Sequence, residues 1–138
     1  MRLIIQGVAV ASLLAAGVGL ASAEDVAVSL SGDQEVPAVQ SAATGKGKIT
    51  IGADKSVSGK ITTTGVQGTM AHVHMSAEPG KNGPPIITLE KGADGTWSIP
   101  SGSKLTDDQY AAFKKGDLYV NVHSAAHKGG EIRASLKP

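Results

Sequence analysis

Ala71-His72-Val73-His74-Met75 and Tyr119-Val120-Asn121-Val122-His123-Ser124-Ala125-Ala126-His127 hold all four histidines of this 138-residue chain, and both stretches otherwise read as β-strand. Successive side chains of a strand alternate faces, so His72 and His74 share one face while Ala71, Val73 and Met75 share the other. The same rule sets Tyr119, Asn121 and His123 against Leu118, Val120 and Val122. With the two strands near each other in one sheet and their apolar faces turned to the core, three imidazoles gather on the outer face. Imidazole clusters of that kind hold borderline cations such as copper and zinc.

Outward from these stretches the chain repeats one pattern: short alternating apolar runs separated by Gly, Pro, Asn, Asp and Ser. Strands are expected over 26–30, 46–51, 57–64, 70–76, 86–90, 95–99, 117–124 and 131–136. Ala53-Asp54-Lys55-Ser56 suits a hairpin link between the second and third. Pro79-Gly80-Lys81-Asn82-Gly83-Pro84-Pro85 is a loop. The segment from Thr106 to Gly116 departs from the pattern. It has a Thr cap, acids in its first turn, Gln109 three residues after the Thr, lysines at its end and a closing glycine, which together predict one short helix. The expected fold is all-β: an antiparallel, Greek-key-like β-sandwich or barrel of about eight short strands with one helix.

The N-terminus starts with Arg2, runs through an apolar stretch from Leu3 to Leu20, and ends in Ala21-Ser22-Ala23. These features predict a secretory signal peptide over residues 1–23, a domain over 24–138, and a periplasmic or secreted location. Cleavage after Ala23 would remove Arg2, one of 13 basic residues, and none of the 12 acidic ones, so the mature domain would be formally neutral. Neutrality offers no electrostatic attraction to nucleic acid or an anionic membrane, and neither is expected as a partner. Cysteine is absent. An exported domain without disulfides must be held by its core and ladders, with bound metal as a further source of stability.

The candidate metal ligands are His72, His74, His123 and His127. His127 sits beside Lys128 where a turn is expected, and could either complete the set or lie in solvent. Met70 has the parity of His72 and His74, and a thioether there would favour Cu(I); the other reading is packing at a strand entry. Met75 should face the core. Tyr119 and Asn121 share the face of His123 and could orient a ligand, or could be half-exposed strand decoration. A nearly all-histidine donor set suits copper, with zinc as the alternative. Neither Ser76 nor Ser124 lies on a nucleophile-elbow motif, and Gly45-Lys46-Gly47-Lys48 leads into a strand rather than a phosphate-binding helix.

Leu30-Ser31-Gly32-Asp33-Gln34-Glu35-Val36-Pro37-Ala38-Val39, Ala43-Thr44-Gly45, the His72-x-His74 strand, Leu105-Thr106, and Tyr119 to Ser124 with Gly130-Glu131-Ile132-Arg133 together resemble the CHRD family, the domain first named from chordin and found alone in many exported bacterial proteins. The resemblance runs from about Val28 to Leu136. It implies a β-fold akin to the Cu/Zn superoxide dismutase sandwich and copper bound by His72, His74 and His123, with His127 as a further candidate. Dismutase activity is not implied: no bridging histidine with an aspartate marks a zinc subsite, and no arginine is obviously placed to guide superoxide. Glu35 reads either as an acceptor supporting a histidine or as a surface charge beside Pro37, and Arg133 could pair with Glu35 or Asp117.

The expected function is therefore copper binding or handling by an exported domain. Two alternatives stay open: a copper-dependent redox enzyme resembling superoxide dismutase, and a metal-free interaction or adhesion module. No particular protein partner is specified.

Overall fold

Alternating apolar residues build nearly every strand, and the strands join into one sheet. The computed structural model describes residues 23–138; the leader expected over 1–23 lies, but for Ala23, outside the described residues. The strands are β1 (Glu24–Ser31), β2 (Thr44–Ile51), β3 (Val57–Thr64), β4 (Gly68–Met75), β5 (Pro85–Thr88), β6 (Glu90–Lys91), β7 (Thr96–Ser98), β8 (Leu118–Ser124) and β9 (Ile132–Leu136). A single 3-10 turn, Gly32–Gln34, follows β1, and helix α1 spans Asp107–Lys115.

The sheet has nine strands in the order β5-β4-β8-β9-β1-β2-β3-β7-β6, with antiparallel pairing throughout. Its two ends, β5 and β6, are consecutive in the chain and separated only by Leu89. The expected single strand over 86–90 is thus two strands. Leu89 is buried, and its N–H donates to the carbonyl of Ala71 at 2.9 Å, so the chain turns there from pairing with β4 to pairing with β7. Strands that switch partners at a corner let a twisted sheet curl on itself, which leaves this one nearly closed, between a barrel and a sandwich.

Val26, Val28, Leu30, Ile49, Ile51, Val57, Ile61, Val73, Val120, Val122, Ile132 and Leu136 fill the interior. α1 closes one end. Thr106 accepts from Gln109 N–H while the Gln109 side chain accepts from Thr106 N–H, and Gly116 ends the helix in the left-handed conformation. Phe113, fully buried, anchors it; burying such a side chain contributes on the order of 2 kcal/mol. No helix among the described residues is long and apolar enough to cross a membrane.

Candidate metal centre

β4 and β8 are neighbours, and their register decides which side chains meet. His72 lies opposite Asn121, His74 opposite Tyr119, and Met70 opposite His123. Ala71, Val73, Val120 and Val122 of the same strands are fully buried in the core. The three histidines leave the other face together, as strand alternation requires. Their ligand atoms lie within 4.8 Å of one another, and they form the group of metal-capable side chains found among the described residues.

This outer face is not open to solvent. All seven residues of β8 are buried, and His72, His74 and His123 are only 9, 6 and 8 % exposed. The cover is irregular chain. Arg133 on β9 donates to Asn82 Oδ1 at 2.7 Å and to the Lys81 carbonyl at 3.2 Å, while its guanidinium lies 3.4 Å from the centre of the Tyr119 ring. Tyr119 Oη accepts from Gly83 N–H at 3.0 Å, and Asn82 Nδ2 ties the loop to the Val36 carbonyl at 2.7 Å. Gly83 is required here because a Cβ would collide with the backbone of Met75. Tyr119 and Asn121 are therefore buried supports, not half-exposed decoration.

Each ring is held by a specific contact. His74 Nδ1 is 2.9 Å from the Gly83 carbonyl, and His123 Nδ1 is 2.8 Å from the Lys128 carbonyl. A carbonyl can only accept, so both Nδ1 atoms carry the hydrogen and both Nε2 atoms carry the lone pair that can bind a cation, that of His123 being turned to His72 Nδ1. His74 also stacks on Tyr119, with centroids 4.7 Å apart and planes within 2°. His72 Nδ1 lies 3.0 Å from His123 Nε2. Two nitrogens each about 2.0–2.1 Å from one ion would be spaced about 3 Å apart at a right angle. His74 Nε2 is buried and makes no well-formed hydrogen bond, although the Asn121 side chain lies near the ring; such an arrangement costs about 1–3 kcal/mol unless something occupies it. The donor chemistry and this orphaned nitrogen fit a metal ion. Burial pushes the pKa of His72 and of His74 down, and the neighbouring imidazoles push the same way. For His74 the Gly83 carbonyl partly opposes this. Both rings are thereby kept neutral at physiological pH, as ligation needs.

His127 is not part of the cluster. It is half-buried in the turn after β8, its N–H bonded to Ser124, and it borders a separate groove of about 550 Å³ together with Glu35, Asn82 and Gly130. Met75 packs against the core, as its parity predicts, whereas Met70 is 52 % exposed. Glu131 is taken up by Ser41 and Ser124.

Glu35 was the least legible residue of the region. Of its two readings from sequence, the surface charge is ruled out: Glu35 is 6 % exposed. Burial raises its pKa to about 7, against the pull of Arg133 and of the Asn121 side chain. Asn121 faces both Glu35 and His74, yet Glu35 Oε2 and Asn121 Oδ1 have no hydrogen-bond partner. Arg133 lies near Glu35 rather than in a bridge with Asp117. The sole signal in sequence was the Glu-Val-Pro that follows the first strand.

Residues 26–136 match the profile of the CHRD domain. The chain belongs to the CHRD family. No curated protein matches it, and no solved structure does. Within this CHRD domain the resembling motifs converge in space: the segment around Glu35, the His-x-His strand, the Tyr119–Ser124 strand and Arg133 meet around the buried imidazoles.

Proposed function

We propose that this CHRD domain binds a single copper ion through His72, His74 and His123 and serves in copper binding or handling outside the cytoplasm, in the periplasm or as a secreted protein. The observation that carries the reading is the buried Nε2 of His74, which makes no well-formed hydrogen bond and sits in a cluster of three imidazoles. Bound there, copper would supply a redox-active Lewis acid. Gly83 and Lys128 hold two of the rings in the tautomer that presents Nε2, and Tyr119 fixes the plane of His74. Arg133 keeps the covering loop in place. Copper is favoured over zinc because first-row affinity on nitrogen ligands peaks at Cu(II).

Titration of the purified domain with Cu(II), Cu(I) and Zn(II), beside a variant with His72, His74 and His123 all changed to alanine, tests the reading. One equivalent of tightly bound copper that disappears in the variant is the expected result. Equal weak binding by both proteins overturns it and leaves the metal-free interaction module. Superoxide turnover by the copper-loaded domain separates the redox enzyme from simple binding.

A further inference from the structure

Met70 is one of two large apolar side chains that the described residues leave exposed, the other being Val36. A methionine half in water contributes little to a core, so packing does not account for its place. Its position is specific in another way. It shares the face of His72 and His74 on β4, and it lies directly across the β4–β8 ladder from His123. Cross-strand partners have Cβ atoms about 4.5–5.5 Å apart, within reach of an unbranched side chain with three rotatable bonds.

Met70 and His123 also border the same cavity, of about 320 Å³, together with Thr69, Ser124, Ala125 and Lys128. The Lys128 carbonyl holds His123 from behind, and its own side chain is exposed and free to move aside. The cavity is thus an approach to the ligand ring whose Nε2 lies against His72 Nδ1. A thioether at this mouth is a soft donor with little affinity for Zn(II).

We propose that Met70 is the soft ligand of the histidine cluster, binding Cu(I) through its sulfur at the mouth beside His123 and setting the site's preference for Cu(I) over Zn(II). The inference rests on the copper reading above and adds the residue that selects oxidation state and metal.

The test compares the wild-type domain with Met70→Leu, which keeps volume and removes sulfur at an exposed position. Anaerobic competition against a chromophoric Cu(I) chelator should show at least about a tenfold loss of Cu(I) affinity in the variant, with Zn(II) affinity changed by less than about twofold. X-ray absorption of the Cu(I)-loaded wild type should show a sulfur neighbour that is missing from Met70→Leu. Copper bound by the wild type with nitrogen ligands only, and with unchanged Cu(I) affinity in Met70→Leu, overturns the role of Met70 while leaving the histidine site standing. Failure of the wild type to bind copper at all overturns both.

Discussion

The β2–β3 hairpin and the β4–β8 pair belong to one sheet and obey one alternation, yet their outer faces have opposite fates. On β2 and β3 the residues opposite the core, Lys48, Lys60 and Thr62 among them, lie largely in water. On β8 the corresponding residues, Tyr119, Asn121 and His123, are as buried as the valines behind them. Strand periodicity is the same in both. The difference is chain far away in sequence: residues 81–83 and 128–130, and the segment around Glu35, fold over one region and leave the other bare. A polar face under such a cover becomes a low-dielectric site in which hydrogen bonds, tautomers and charges are fixed rather than averaged by solvent.

Arg133→Ala should break the contrast most severely. It removes the buried cation that spans Tyr119, Asn82 and Lys81 and strands their acceptors, with an expected loss of about 3 kcal/mol by chemical denaturation and a fall in copper affinity.

The titration of Glu35 probes the same cover. Its folded pKa, about 7, stands above the ordinary 4.5, so the folded state holds a proton that the unfolded chain releases. Stability from this group is full below about pH 4.5 and is lost as pH rises through 7. Glu35→Gln is neutral at every pH. Relative to wild type it should gain up to the order of 3 kcal/mol by pH 8, and the gain should vanish near pH 4.5 in parallel denaturant melts. His72 and His74 act in the opposite sense in both proteins. Their folded pKa values are depressed below 6.5, so stability falls as acid protonates the unfolded chain first.

The smallest effects sharpen the comparison. Tyr119→Phe loses the hydroxyl that clasps Gly83, and should cost about 1 kcal/mol and weaken copper binding through a looser His74. Lys60→Ala, on the bare face of β3, should change stability by no more than about 0.5 kcal/mol and leave metal affinity untouched. Equal effects of the two in the same melts would show that the cover does not set the β8 face apart.

Much of the frame was legible in the residues. Alternation in Val26–Leu30, Lys46–Ile51 and Val57–Thr64 placed the strands, and the Thr106–Gln109 box with Gly116 bounded the helix, because these are local effects of backbone geometry and capping. The split at Leu89 was not legible, since Ile86 to Glu90 holds no Gly or Pro to mark a break and the change of partner from β4 to β7 is made by strands distant in sequence. The histidine cluster was foreseen from parity, but its burial was not. His127, expected in a turn beside Lys128, could be read either as a further ligand or as solvated; the turn is there, and the cluster closes without it.

By itself the sequence determined the strand periodicity, the helix and the shared face of His72 and His74, for each depends on neighbours a few residues away. Tertiary structure alone decided that β4 and β8 adjoin in the register that brings His123 to His72, that loops seal this face, and that Glu35 and Arg133 lie beneath them. Those outcomes come from contacts between segments up to about a hundred residues apart, whose loop-closure cost is met only when the whole sheet forms.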